Sequence, residues 1–152
     1  MRRQQHEYLI KCEDYQEDSN GCYIYMELAH EDLETFIWRY KKSGKYIPEK
    51  VVLHIIFQIL HGLSYLHKNN IIHRDIKPLN TLMIGLNCKL SDFGGSRQLS
   101  NEFSKAETKI GTLYFISPEI LHKSDYSFET DVWSFGVTLY YLCTLTFPFP
   151  EP

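Results

Sequence analysis

The chain has 152 residues, 43% of them hydrophobic and 14% aromatic, and a formal net charge of −3. This composition is typical of one globular domain. Because the 16 basic residues do not outnumber the 19 acidic ones, nothing in the charge favours nucleic acid or an anionic membrane as a partner.

Short β-type runs come first along the chain. Residues 8–18 and 21–28 are separated by the polar turn "DSNG", which predicts a hairpin. An amphipathic helix over 30–44 is expected to stop at Gly44. A longer helix opens near Pro48, and its apolar residues recur every three or four positions, which predicts a core-facing helix.

Two further β-type runs, 80–84 and 88–94, flank the tight turn "GLN". No single period holds over 95–121, so a long loop is expected there. The uncharged run 132–150 resembles a membrane span, but Gly136 and two prolines interrupt it. We therefore expect a buried central helix starting near Asp131 and no membrane span.

The four cysteines stand far apart, without a CxxC pair or a Cys/His pair at metal spacing. This pattern favours neither a zinc site nor a disulfide framework, and it suits a reducing compartment. The N-terminus is basic but has no apolar stretch behind it, so no signal peptide is expected. The predicted localisation is intracellular, in the cytoplasm or the nucleus.

One polar cluster carries the chemistry. Asp75, Asn80 and Asp92 lie at the edges of the two later strand runs, so a hairpin can bring them to one point. Such oxygen ligands suit Mg²⁺, and Lys77 adds positive charge where a transferring phosphoryl group develops negative charge. The cluster indicates phosphoryl transfer; the alternative is a solvated turn, since Pro78 breaks helices.

Three motifs, "HRDIKPLN", "SDFGG" and "GTLYFISPE", occur in the order and spacing of the eukaryotic protein kinase family, which the chain resembles from about His6 onward. The resemblance implies an α+β, protein-kinase-like fold that forms one partial kinase domain over 1–152, truncated at both ends. About 1–28 would be the end of the small β lobe with the start of the hinge. About 29–152 would be an incomplete, mostly helical large lobe.

The resemblance also implies roles at matching positions. Asp75 matches the aspartate that orients the substrate hydroxyl, while Asn80 and Asp92 match the two metal-holding groups of an ATP and Mg²⁺ site. Lys77 matches the lysine of the serine/threonine branch, and Thr112 matches the threonine placed against the aspartate and lysine. Protein serine or threonine hydroxyls are the expected acceptors.

Further positions follow from the same resemblance. Met26 would be the gatekeeper, the backbone of Glu27 and Ala29 would bind adenine, and Leu82 would form the floor under the ring. For these four residues, an ordinary core role is the alternative.

Regulation is implied by Arg74, because kinases with this arginine are often activated by phosphate in the activation loop, here 92–119. Thr108 and Ser104 are the candidate phosphosites, with an upstream activating kinase as a partner. The alternative is an unmodified polar loop. His73 and Phe93 would pack beneath the site, and Asp131 would anchor the loop backbone. The remaining histidines show no carboxylate partner at ligand spacing.

Several parts of a kinase domain are missing. The eight glycines include no GxG spacing, and Lys11 is a weak substitute for the phosphate-binding lysine. Two functions of different class follow: an incomplete protein serine/threonine kinase, or a catalytically inactive interaction module. A small-molecule phosphotransferase is a third candidate, against which Lys77 and "GTLYFISPE" argue.

Overall fold

The computed structural model describes residues 5–19, 21–92, 110–122 and 125–149. Its elements combine short antiparallel strands with helices, so the predicted α+β class is confirmed. In chain order the elements are β1 (Cys12–Asp18), β2 (Gly21–Met26), β3 (Glu31–Asp32), α1 (Leu33–Ser43), α2 (Glu49–Lys68), a 3₁₀ turn (Pro78–Asn80), β4 (Thr81–Ile84), β5 (Asn87–Leu90), a second 3₁₀ segment (Ile110–Phe115), α3 (Pro118–Leu121) and α4 (Phe128–Thr144).

The predicted hairpin is formed by β1 and β2, which pair antiparallel with an irregular register near Cys12. Its strand begins at Cys12 and not at residue 8, because the preceding residues bond to another strand. Ile10 N–H donates to the Leu90 carbonyl at 2.8 Å, and Leu90 N–H donates to the Tyr8 carbonyl at 2.9 Å. The hairpin thus projects from a base held beside β5.

Helix α1 begins later than predicted. Glu31 and Asp32 instead form β3 against β4, and Asp32 Oδ1 then caps the helix by accepting from Thr35 N–H at 2.7 Å. The helix ends as predicted at Gly44, whose φ of 67° lies in the left-handed region that glycine adopts without a side-chain clash.

Helix α2 forms the centre of the core, as its periodicity predicts. Its buried Gln58 fastens the β4–β5 hairpin: Oε1 accepts from Cys88 N–H at 2.8 Å, and Nε2 donates to the Leu86 carbonyl at 3.1 Å. The apolar cluster around α2 draws buried side chains from α1, β4, β5 and α4, including Leu33, Ile37, Ile55, Ile59, Leu63, Leu66, Met83, Leu90 and Leu142.

Helix α4 begins at Phe128, three residues before the predicted start, because Ser127 and Thr130 form a capping box. One face of α4 is buried, but Val132 is 58% exposed and Tyr140 43% exposed. Helix α4 is therefore buried on one face and exposes apolar side chains on the other. In the described part of the chain, no helix is long and apolar enough to cross a membrane.

The region predicted as one long loop differs at its end. Residues 110–115 form a 3₁₀ segment, and Pro118–Leu121 form the short helix α3. Tyr114 and Phe115 pack beside Val137 of α4, and Phe147 stacks on Tyr114. Burial of these aromatic rings explains why the segment is ordered although its sequence shows no single period.

Candidate active site

The loop after α2 is anchored by one buried carboxylate. Asp131, 1% exposed at the start of α4, accepts from His73 N–H through Oδ2 and from Arg74 N–H through Oδ1, both at 2.8 Å. These two bonds hold Arg74 at a φ of 73°, a left-handed conformation that side chains other than glycine rarely adopt. Asp131 therefore anchors the loop backbone, as the motif comparison implies.

His67 corrects the expectation that the other histidines lack a carboxylate partner. Its Nε2 lies 2.8 Å from Asp131 Oδ2, across 64 positions of sequence. The last turn of α2, the loop at His73 and the start of α4 thus meet at one carboxylate. Local spacing could not reveal this partner, because only the packing of α2 beside α4 creates it.

The candidate catalytic carboxylate, Asp75, is held by two neighbours. Lys77 Nζ lies 2.7 Å from Asp75 Oδ2, and Asn80 Nδ2 donates to the same oxygen at 2.7 Å. Asn80 Nδ2 also donates to the Asp75 carbonyl at 2.9 Å. Because the Asp75 side chain remains 47% exposed while Lys77 is 14% exposed, the carboxylate is both oriented and accessible.

Asp92 reaches the same region from the end of β5. Its neighbour Ser91 donates twice to the Asn80 carbonyl, from N–H at 2.9 Å and from Oγ at 3.0 Å. Asp92 itself has a φ of 60° and is exposed. A cavity of about 400 Å³ is lined by both Asp75 and Asp92. The structure therefore brings the three predicted polar residues, Asp75, Asn80 and Asp92, together.

His73 supports this loop from beneath. Its Nδ1 accepts from Asp75 N–H at 3.3 Å, which requires that nitrogen to be unprotonated. Burial lowers the pKa of His73, and the nearby carboxylates of Asp131 and Asp75 oppose this shift without reversing it. A neutral His73 is consistent with its acceptor role at Nδ1.

The predicted adenine-contacting residues lie beside one another. His30 N–H donates to the Met83 carbonyl at 2.9 Å, and β3 pairs Asp32 with Leu82, so the segment after β2 runs along β4. Met26 ends β2 and is 48% exposed. Among the described residues, no hydrogen bond occupies the Ala29 N–H or the Glu27 carbonyl. These two backbone groups remain available to a ligand.

Some predicted site residues lie outside the described part of the chain, and one described residue lies away from the cavity. The side chain of Thr112 lies outside the part of the chain that is described, as do Thr108, Ser104 and Phe93 altogether. Lys11 Nζ contacts both carboxylate oxygens of Glu13 at 2.8 Å and does not line the cavity of Asp75. Lys11 is therefore not positioned as a phosphate-binding lysine.

Arg74 borders the cavity beneath Asp75. Its guanidinium carbon lies 5.5 Å from the centre of the Tyr126 ring, a cation–π contact. Its Nε is buried without a hydrogen-bond partner among the described atoms. Burial raises the pKa of Tyr126, as does the nearby charge of Asp75, while Arg74 lowers it. This end of the cavity therefore places the Arg74 guanidinium beside the partly buried Tyr126 ring.

Oxygen chemistry at the site fits a magnesium ion. The amide nitrogen of Asn80 is directed to Asp75, and the other amide atom, Oδ1, has no protein donor among the described residues. Asp92 contributes an exposed carboxylate close by. One carboxylate and one amide oxygen, completed by phosphate and water, form the kind of sparse ligand set that Mg²⁺ accepts.

Comparison with known proteins identifies the family. The family model described as protein kinase domain matches residues 1–152. The chain is 41% identical to the serine/threonine-protein kinase Nek9 of Xenopus laevis over 143 residues, 93% of this chain and 15% of that protein. It is 38% identical to serine/threonine-protein kinase polo of Drosophila melanogaster, over 95% of this chain and 25% of that protein. This chain belongs to the protein kinase domain family.

A third relative agrees with these two. The serine/threonine-protein kinase Nek2 of Homo sapiens is 38% identical over 84% of this chain and 30% of its own length. The chain thus spans a third or less of the length of these curated relatives. Each of the three motifs contributes at least one described residue to the cavity that Asp75 lines.

One site contact was not anticipated. Lys89 Nζ lies 2.8 Å from Glu27 Oε1, an ion pair between β5 and the segment after β2. The sequence shows only that Lys89 interrupts the apolar run "CKL" before Asp92, a strand pattern usually read as a solvent-facing position. A lysine on the face of Leu82 was the available signal, but its partner depends on the hairpin base.

Proposed function

We propose that this chain carries the catalytic centre of a protein serine/threonine kinase, which transfers the γ-phosphate of ATP to a serine or threonine hydroxyl. One observation carries the proposal: Asp75 is oriented by Lys77 and Asn80 in a cavity that it shares with Asp92. Each of these polar residues has a defined use in phosphoryl transfer, and few other reactions need all four.

In this proposal, Asp75 accepts the proton of the substrate hydroxyl as the oxygen attacks the γ-phosphorus and the bond to ADP breaks. Lys77 exchanges part of its contact with Asp75 for the transferring phosphoryl group, whose developing negative charge it stabilises. Thr112 is proposed to hold Asp75 and Lys77 in register. Because Asp75 is held in place before the substrate binds, little free energy is spent on orienting it.

Asn80 and Asp92 are the proposed magnesium ligands. When bound, the ion would neutralise charge on the phosphate groups of ATP. The chain's own contribution is to fix the two ligands relative to Asp75, through the Asn80 amide and through the two Ser91 bonds to the Asn80 carbonyl.

The adenine of ATP is proposed to bind along the segment after β2. The free Glu27 carbonyl and Ala29 N–H supply one acceptor and one donor in the correct alternation for the edge of the ring. Leu82, half-buried on β4, would lie under the ring, and Met26 would close the rear of the cleft.

The proposal extends to regulation and to cellular location. Arg74 lies at the cavity with its Nε buried, and a phosphate on Thr108 or Ser104, added by an upstream kinase, is its proposed partner. The named relatives are serine/threonine-protein kinases, which supports protein hydroxyls as substrates. Four free cysteines are consistent with a cytoplasmic or nuclear location.

The test measures Mg²⁺-dependent transfer of labelled phosphate from ATP to a generic serine/threonine protein. Asp75→Asn keeps the shape of the side chain but removes the base, so transfer should fall at least about a hundredfold. Asp125→Asn, on an exposed aspartate that does not line the cavity, serves as the matched control and should retain activity.

Equal activity in the wild-type chain and in Asp75→Asn would contradict the proposed role of Asp75. Nucleotide binding without measurable transfer in any variant would favour the inactive interaction module. Transfer to a small alcohol with none to protein would favour a small-molecule phosphotransferase.

A further inference from the structure

The hairpin of β1 and β2 depends on its base for its orientation. Both strands are exposed along nearly their whole length, with only Cys12 half-buried. A two-stranded hairpin that packs against little else is marginally stable alone and can swing about its attachment. Contacts at the base therefore determine where the segment after β2 lies.

One carboxylate gathers three chain segments at that base. Glu27 Oε1 accepts from Lys89 Nζ at 2.8 Å and from Lys11 N–H at 2.7 Å. In addition, Glu27 N–H donates to the Lys11 carbonyl at 3.0 Å. The chain entering β1, the chain leaving β2 and strand β5 are thus joined through Glu27.

Both members of the Lys89–Glu27 ion pair are largely shielded from solvent. The Lys89 side chain is 19% exposed and that of Glu27 is 21% exposed. Burial acts to raise the pKa of Glu27, but the hydrogen bonds from Lys89 and Lys11 and their charges outweigh it, so its pKa lies below the ordinary value. Glu27 is therefore ionised, and the pair charged, at neutral pH.

The pair also lies next to the proposed nucleotide cleft. Lys89 of β5 stands directly across from Leu82 of β4, and opposed residues of antiparallel strands share one face of the sheet. Lys89 is therefore on the face that carries the proposed adenine floor. Its partner Glu27 belongs to the segment whose Glu27 carbonyl and Ala29 N–H are proposed to bind adenine.

We propose that the Lys89–Glu27 ion pair is a positioning contact that fixes the adenine-binding backbone of Glu27 and Ala29 relative to Leu82, and so sets the affinity for ATP. The inference rests on the proposed function. The Lys89 side chain acts through Glu27 and does not react. The pair converts a loosely attached hairpin into one wall of a preorganised site.

The experiment measures MgATP binding to the full chain by calorimetry, together with the thermal unfolding midpoint of each variant. Lys89→Met keeps most of the stem but removes the charge, and it should weaken binding about threefold to tenfold. Glu27→Gln should do the same, because its amide oxygen still accepts from Lys11 N–H while the charge is lost. Lys89→Arg should restore most of the affinity.

A double variant and a control variant distinguish positioning by the ion pair from a general loss of charge and from a loss of stability. The double variant should bind about as weakly as either single one, since both remove the same contact. The matched control is Lys45→Met, which removes an exposed lysine between α1 and α2 and should leave the affinity unchanged. Weaker binding at an unchanged unfolding midpoint supports positioning, because a purely structural role would lower the midpoint instead.

Unchanged affinity in Lys89→Met and Glu27→Gln, with wild-type binding intact, overturns the inference and leaves the proposed function standing. Absence of MgATP binding by the wild-type chain overturns both. If Lys89→Met does not fold, Glu27→Gln decides: weaker binding supports the ion pair, and equal binding refutes it.

Discussion

The β1–β2 hairpin and the loop from Ile71 to Asp92 are held in opposite ways. The hairpin has a regular backbone ladder and almost no buried side chain. The loop has little regular structure beyond a 3₁₀ turn and short strands, yet His73, Ile76 and Asn80 are buried within it. Regular hydrogen bonding and rigid attachment are therefore separate properties in this molecule.

The comparison shows what holds a functional loop in place. Side chains from outside the loop, above all Asp131, bond its backbone, and residues within it bond one another. The hairpin depends on its own ladder and on the Glu27 contacts at its base. Substitutions in the two regions should consequently differ in their effects on the free energy of unfolding.

Asp131→Ala should destabilise the loop and have the largest effect on the free energy of unfolding. It leaves the N–H groups of His73 and Arg74 and the Nε2 of His67 without their acceptor. Buried donors without partners cost about 1–3 kcal/mol each, so we expect a loss of about 3–5 kcal/mol, measured by urea unfolding.

The control for this prediction is Asp125→Ala, on an exposed aspartate just before α4, with an expected change within about 0.5 kcal/mol. A loss under about 1 kcal/mol for Asp131→Ala would show that the loop does not depend on this carboxylate.

Gly62→Ala tests the attachment of the hairpin base to α2. A Cβ at Gly62 would lie 2.8 Å from the Tyr8 carbonyl oxygen and 3.3 Å from Leu90 Cδ1. The backbone of residues 8–10 would have to shift, so we expect a loss of about 1–3 kcal/mol in urea unfolding.

Gly136→Ala is its matched control, because nothing lies within 4 Å of a Cβ at that position in α4. Alanine there should stabilise the helix by up to about 1 kcal/mol. Changes of the same sign at both glycines would rule out the close approach as the cause.

Glu34→Gln tests how the stability of the helical core, outside the hairpin and the loop, depends on pH. Burial raises the pKa of Glu34 above its ordinary 4.5, while the Tyr141 hydroxyl, which donates to Oε1 at 3.0 Å, partly opposes the shift. The folded state therefore holds this proton more tightly than the unfolded state, and wild-type stability from this group falls as pH rises from about 4.5 through the raised pKa.

Glutamine does not titrate, so the stability of Glu34→Gln relative to wild type should improve between pH 4 and pH 7, measured by urea midpoints. Glu7→Gln, on an exposed carboxylate, provides the baseline. A difference that stays flat across this range would contradict the raised pKa.

Ile24→Thr should have the smallest effect. Ile24 is 49% exposed on β2, opposite Tyr15, and threonine also suits a strand. We expect a change within about 0.5 kcal/mol in thermal or urea unfolding. A loss of 2 kcal/mol or more would mean that the hairpin packs more tightly than its exposure indicates.

Most of the fold follows from patterns that local chemistry controls. The stop of α1 at Gly44, the buried stripe of α2 and the two hairpins were all predicted from spacing and turn residues. The errors lie where tertiary contacts override local preference. Strand β3 forms because β4 supplies a partner, and α4 starts early because Ser127 and Thr130 cap each other.

In the candidate site, too, some contacts could be predicted from the sequence and others could not. Asp75, Asn80 and Asp92 could be grouped because a predicted hairpin brings them together. The pairs His67–Asp131 and Lys89–Glu27 join residues 64 and 62 positions apart, and no periodicity relates their members. Such contacts arise only once α2, α4 and the hairpin base are packed.

Two residues of the candidate site, Arg74 and Asp92, adopt left-handed backbone conformations with φ of 73° and 60°. Each costs about 1 kcal/mol or more for a residue with a side chain, and glycine would remove that cost. Selection for stability alone would therefore favour glycine at both positions, while the roles proposed for the two side chains require the residues that are present. The proposed roles of the guanidinium and the carboxylate thus explain why residues with side chains stand at these two strained positions.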